Sequence, residues 1–381
     1  MTTIPTNDSE RLARVALARL TEPGDTRTAG LVAELGATKV HQHLATERDV
    51  AGLLTDVAAR LEAMDPARDL EQAERLGIRF VIPGDEEWPR ALDDLAAAEP
   101  VQERGGAPLG LWVRGPLGLH ELAPAVAVVG SRSATSYGAD LAASIGAELA
   151  RAGQTVVSGA AFGIDQAAHR GALAMGGPTV AVLACGVDRA YPTAHKSLLD
   201  HLAAGCAVVS ELPPGCMPTR LRFLSRNRLI AALTGGTVVV EAALRSGALN
   251  TANWAGRLNR PLMGVPGPVT SAPSAGVHQL IRTGAATLVT SGAEVLEVVS
   301  PAGDHLLERP RGRDTPRDRL TQRHRQVLDA VPVAHDVGAD SIARTAGMGL
   351  MEVRSALTRL AALDLVERSP SGWRLAEAAR S

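Results

Sequence analysis

Ala125-Val126-Ala127-Val128-Val129, followed at once by Gly130-Ser131-Arg132, is the stretch on which the fold turns. Five small or β-branched apolar residues in a row suit a strand buried on both faces, and the glycine ends it. The pattern recurs at residues 155–157, 179–183, 207–209, 237–240 and 261–265. Helical stretches at 140–152, 164–175, 196–204 and 251–258 separate most of these runs. Strands alternating with helices form βαβ units. The fold class is therefore α/β, an extended Rossmann-like, doubly wound parallel sheet over residues 78–298. Runs at 78–83 and Leu111–Arg114 add strands at its start.

The flanks read differently. Residues 1–77 carry apolar positions at helical spacing and no strand signal, which predicts a small helical domain. Residues 299–319 are rich in proline, glycine and charge, the composition of a linker. Residues 320–381 predict a helix, a helix-turn-helix and a hairpin about 369–372, together a winged helix. Such a module suits duplex DNA or a protein partner.

Composition narrows the function. The 381 residues hold 39 basic and 41 acidic side chains, so a polyanionic partner needs a local positive patch. No apolar run is long enough to span a bilayer. The N-terminal residues lack a basic and apolar leader, and a cytoplasmic protein without membrane contact is expected. Cys185, Cys206 and Cys216 lack zinc-clip spacing, and the ten histidines include no HExxH. No metal or cofactor is expected.

In an open parallel sheet, ligands bind beyond the carboxyl ends of the strands. Those ends hold the unusual residues: Gly130-Ser131-Arg132, Ser158-Gly159 with Phe162-Gly163, Tyr191-Pro192 before Lys196, Ser210-Glu211, and Ser246-Gly247 after Glu241. Small residues there let backbone N–H groups approach an anion. A second feature is basic: Arg220, Arg222, Phe223, Arg226, Asn227 and Arg228. No Asp or Glu lies between Leu212 and Val240 to neutralise these arginines locally. Guanidinium forks suit phosphate, and a ring beside them offers a stacking face. The run reads as part of a nucleic-acid groove or as a solvated basic turn. Asp165 and His169, four apart, are an acid/base pair or, preferably, a helix cap and a packed histidine. Glu211 and Glu241 are candidate catalytic carboxylates or, preferably, holders of the arginines. Neither GxGxxG nor a P-loop is present.

Taken together, these segments resemble the DNA-processing protein A family (DprA, also called Smf). The likeness rests on Val128-Val129-Gly130-Ser131-Arg132, Val157-Ser158-Gly159 with Gly163-Ile164-Asp165, Tyr191-Pro192, Pro213-Pro214-Gly215, Arg226-Asn227-Arg228 and Ser246-Gly247. The turn Asp85-Glu86-Glu87-Trp88-Pro89 is similar too. The resemblance implies an extended Rossmann domain, with an N-terminal SAM-like domain and a C-terminal winged helix. It implies a non-enzymatic protein that binds single-stranded DNA, loads RecA recombinase during natural transformation or recombination, and forms a homodimer. It marks Arg132, Lys196, Arg226 and Arg228 as strand-contacting cations. Together with the strand-end and basic-run readings, the expected DNA-binding set is Gly130, Ser131, Arg132, Ser158, Gly159, Phe162, Gly163, Lys196, Arg220, Phe223, Arg226, Asn227, Arg228, Ser246 and Gly247. Leu224 and Asn250 depart from the family pattern, at positions where proline and an aliphatic residue are usual. The competing readings are a nucleotide phosphoribohydrolase of the LOG type, suggested by Gly235-Gly236-Thr237 leading to Glu241, and a duplex-reading winged-helix regulator.

Overall fold

A computed structural model describes residues 6–47, 55–122, 124–307 and 315–379. Residues 308–314 of the expected linker lie outside the described residues. The chain divides after Leu307 into two compact units.

The first unit opens with helices α1 (Thr6–Leu20), α2 (Thr26–Leu35), α3 (Ala37–Thr46), α4 (Asp56–Glu62) and α5 (Pro66–Arg75). Asp25, Thr55 and Asp65 cap α2, α4 and α5, each side chain accepting a first-turn backbone N–H. Next come β1 (Ile78–Val81), β2 (Leu111–Arg114), β3 (Ala125–Val129), α6 (Ser136–Arg151), β4 (Thr155–Ser158), α7 (Ile164–Ala174) and β5 (Thr179–Val182). The unit continues with α8 (Lys196–Gly205), β6 (Ala207–Ser210), α9 (Arg220–Ala232), β7 (Gly236–Val239), α10 (Ala248–Arg257) and β8 (Leu262–Gly264). Helix α11 (Ala275–Arg282), β9 (Thr287–Leu288) and α12 (Gly292–Val299) complete it.

Among the described residues, nine strands of this unit form one sheet in the order β1-β2-β6-β5-β4-β3-β7-β8-β9. Pairing is parallel from β6 to β9, and antiparallel where β2 meets β1 and β6. Side-chain alternation along β3 sorts the core. Val126 and Val128 pack with Ile145, Leu149 and Ile164 of α6 and α7. Val129 belongs to the other face, with Leu229, Ile230 and Trp254 of α9 and α10. Helices thus cover both faces, as βαβ connections require. The chain moves outward from β3 through β4, β5 and β6 on one side, then returns to β7 on the other. The reversal between β3 and β7 is a topological switch point, where loops diverge and leave a crevice.

The Asp85–Pro89 turn ties the N-terminal helices to the sheet. Asp85 takes both arms of the Arg11 fork at 2.7 and 3.0 Å. Glu87 holds Arg79 of β1, and buried Trp88 donates to Asp93.

The basic run is not a turn. It forms helix α9, begun by Thr219, whose side chain accepts the Arg222 N–H. Residues 225–232 are buried on every side of the helix, so no 3.6-residue apolar stripe announces it.

The second unit contains α13 (Gln322–Asp329), α14 (Ala339–Ala346), α15 (Leu350–Ala361) and the hairpin β10 (Val366–Ser369)–β11 (Gly372–Leu375). Its core is Val327, Leu328, Ile342, Val353, Leu357 and Leu360. Gly347, in the left-handed region at φ 64°, closes α14.

Candidate functional site

A cleft of about 1060 Å³ opens at the switch point. It lies among the loop after β3, the loop after β7, and the N-terminal ends of α9 and α10. Helix α9 enters it with the i, i+3, i+4, i+7 face Arg220, Phe223, Leu224 and Asn227.

One wall is aromatic and cationic. The Phe223 and Tyr191 rings lie 5.7 Å apart, and the Arg132 guanidinium sits 4.4 Å over the Phe223 ring. Arg132 and Arg220 are exposed. The opposite wall is polar, with Ser246, Asn250 and Asn253. Arg226 and Asp165 form the floor.

Arg226 is a buried cation held by little. Its Nη1 donates to Val182 O at 3.0 Å, its Nε has no acceptor, and it forms no ion pair among the described residues. Burial pushes its pKa down to about 10; Asp165 pulls it up, and Arg132 pushes it further down. It remains charged at neutral pH. Burial likewise pushes the Asp165 carboxyl up, against the pull of Arg226 and of backbone N–H groups, including those of Ala161 and Gly159. Asp165 therefore organises the turn after β4 from within the first turn of α7; the residue capping that helix is Gly163.

Of the expected residues, the cleft gathers Gly130, Ser131, Arg132, Arg220, Phe223, Arg226, Asn227, Ser246 and Gly247. Ser158, Gly159 and Gly163 stand behind it. Ser158 Oγ donates to Val128 O at 2.6 Å, fastening β4 to β3. Gly163, at φ 76°, lets its backbone pass against Ser131 O, where no side chain fits. Gly159 makes room for Arg226, since a Cβ there would fall on the guanidinium. Phe162 is exposed and meets His195 edge-on at 4.5 Å. Lys196 lies apart, in a second groove with Arg114, Asp188 and Arg189, its ammonium on Asp200.

The arginine-rich helix is also corrected in detail. Arg228, expected to face a ligand, has no exposed side-chain surface. Its fork meets Glu211 at 2.6 and 2.7 Å, and its Nε donates to Gly106 O. Arg222 is clasped at 2.7 and 2.8 Å by Glu22, two hundred residues earlier. Glu211 thus holds an arginine as expected, but Glu241 does not. Its carboxylate accepts from Thr135 N and Oγ1, bracing the turn between β3 and α6.

Exposed Arg245 and Asn253 line the cleft without a signal read from the sequence, and half-buried Asn250, noted there only as a departure from the family pattern, lines it too. Arg245 directly precedes Ser246-Gly247, so extending the strand-end rule by one residue would have included it.

Gly159→Ala should lower stability by about 1–3 kcal/mol through overpacking against Arg226. Urea denaturation of a double-mutant cycle checks this. In an Arg226→Ala background the same change should cost less than about 0.5 kcal/mol, because the colliding group is gone.

The family model described as DNA recombination-mediator protein A matches residues 79–300. The chain is 42% identical over 365 residues to a putative DNA processing protein DprA of Mycobacterium tuberculosis, covering 95% of this chain and 93% of that protein. It is 37% identical over 275 residues to protein Smf of Escherichia coli, covering 70% and 71%. Among solved structures, DNA processing protein A from Streptococcus pneumoniae superposes with a TM-score of 0.63 at 32% identity, covering 77% of this chain and 98% of that one.

Proposed function

The chain belongs to the DNA recombination-mediator protein A family, and on that premise we propose that its switch-point cleft holds a single strand of DNA. The observation that carries this is the convergence of Arg132, Arg220 and Arg245 with the Phe223 ring at one crevice. Phosphates attract the guanidinium groups, and a ring facing into a cleft needs an unpaired base to stack upon. A duplex keeps its base faces covered by their neighbours.

The strand-facing set is then Gly130, Ser131, Arg132, Arg220, Phe223, Arg226, Asn227, Arg245, Ser246 and Gly247. Ser158, Gly159 and Gly163 shape the floor, and Arg228 holds the wall. Lys196 and Phe162 extend the path outside the cleft. The protein acts by binding rather than catalysis. Support comes from Glu211 and Glu241, the carboxylates an enzyme would need, which are both engaged in holding structure. Loading of RecA onto the bound strand, a homodimer, and roles in recombination or DNA uptake accompany this reading. So do a SAM-like character for residues 1–77, a winged helix for 320–381, and a cytoplasmic location. No helix among the described residues is long and apolar enough to cross a membrane.

Arg132→Ala should weaken single-strand binding about 10-fold, the scale of one charged hydrogen bond. The slope of log K against log salt should flatten by about 0.7, the contribution of one phosphate contact. A salt-titrated comparison of single-stranded and duplex oligonucleotides measures both. Preference for duplex, or an Arg132→Ala protein that binds single strands like the wild type, would end this assignment.

A further inference from the structure

Below its cationic rim the cleft carries a chemistry that phosphate binding leaves unused. Asn227 is only 8% exposed. Its Nδ2 donates to Gly247 O and to Asn250 Oδ1, each at 3.3 Å. A backbone carbonyl cannot donate, so the Gly247 contact fixes which end of the Asn227 amide is nitrogen. Asn250 in turn must present its carbonyl to Asn227. This leaves Asn227 Oδ1 and Asn250 Nδ2 without a partner among the described residues. Neither atom is sealed in the interior, and both residues line the cleft. Arg226, next to Asn227 on α9, likewise keeps Nη2 without an acceptor among the described residues and open to the cleft.

The floor thus offers one acceptor, Asn227 Oδ1, between two donors, one beside it on α9 and one across on α10. We propose that this trio reads the imide edge of a thymine, one N–H flanked by two carbonyls. N3–H would donate to Asn227 Oδ1, and the carbonyls would accept from Asn250 Nδ2 and Arg226 Nη2. Adenine, cytosine and guanine each carry an exocyclic amino group on that edge. It sets a donor against a donor at one position or leaves a buried partner unmade. Rim arginines and the Phe223 ring then hold the strand irrespective of sequence, while the floor inspects one base. The inference rests on reading the cleft as a single-strand groove.

The test compares oligothymidylate with the same strand built from 3-N-methylthymidine. Methylation removes the N3–H without changing charge. Methylation should weaken binding to the wild-type protein about 5- to 10-fold, the scale of a lost base-edge contact. An oligodeoxyuridine strand should bind like oligothymidylate, since the 5-methyl group takes no part. In Asn227→Ala, which removes the acceptor for N3–H, the methylated and unmethylated strands should bind alike, with thermal melting confirming that the variant is folded. Equal wild-type affinity for both strands, with strong binding retained, overturns the base reading and leaves the groove intact. Failure of every single strand to bind overturns both.

Discussion

Arg228→Ala is expected to destabilise the first unit by about 3–5 kcal/mol, the cost of leaving a buried charge unpaired. Its guanidinium has no exposed surface and makes four hydrogen bonds, two of them to Glu211, itself 9% exposed. Removing the arginine strands that carboxylate between α9 and the end of β6. Urea denaturation measures the loss. The pair Arg228→Met with Glu211→Leu should recover most of it, because a hydrophobic replacement of both partners removes the unpaired charge. An Arg228→Ala protein of wild-type stability that has lost strand binding would place this residue at the strand instead of in the wall.

The second large effect is a pH dependence set by His169. Thr179 Oγ1 donates to Val156 O at 2.7 Å, so it must accept from His169 Nδ1–H, also at 2.7 Å. That leaves Nε2 as a buried lone pair with no partner among the described residues. Burial, then Arg226 and His195, push the imidazole pKa from 6.5 down to about 3. Between those values the unfolded chain binds a proton that the folded chain refuses. Stability is therefore full above about pH 6.5 and falls as the pH drops toward 3. The loss grows with each pH unit in that window and reaches roughly 3 kcal/mol at pH 4.5. His169→Gln removes this titration. The gap between wild-type and variant stability should thus shrink by that amount from pH 7.5 to pH 4.5. A gap that stays constant would mean that His169 already carries its proton when folded.

These expectations show how differently parts of one helix are legible. Arg226 and Arg228 are two residues apart and identical in sequence terms. One lies at the floor of a cleft with spare donors; the other is fully paired inside the wall. Their difference comes from Glu211 and Gly106, brought in by another strand end and another loop. The absence of acidic residues between 212 and 240 was a true observation that misled for the same reason. Glu22 and Glu211 neutralise two of the four arginines, Arg222 and Arg228, from outside that window.

The sheet itself was written locally. Runs of valine and alanine that cannot remain in water must be covered on both sides, and the intervening helical segments supply the cover. The gathering of glycines, serines and Arg132 at strand ends follows from topology alone, since parallel strands all finish at one edge. Which cations remain free to meet a ligand is another matter. Burial and pairing depend on distant chain segments meeting in space, so only the tertiary structure withdrew Arg222 and Arg228, set Lys196 apart, and joined Asn227 to Asn250. Hydrophobic patterning acts over a few residues and is visible in the chain; electrostatic pairing is indifferent to sequence distance and becomes visible only once the chain has closed on itself.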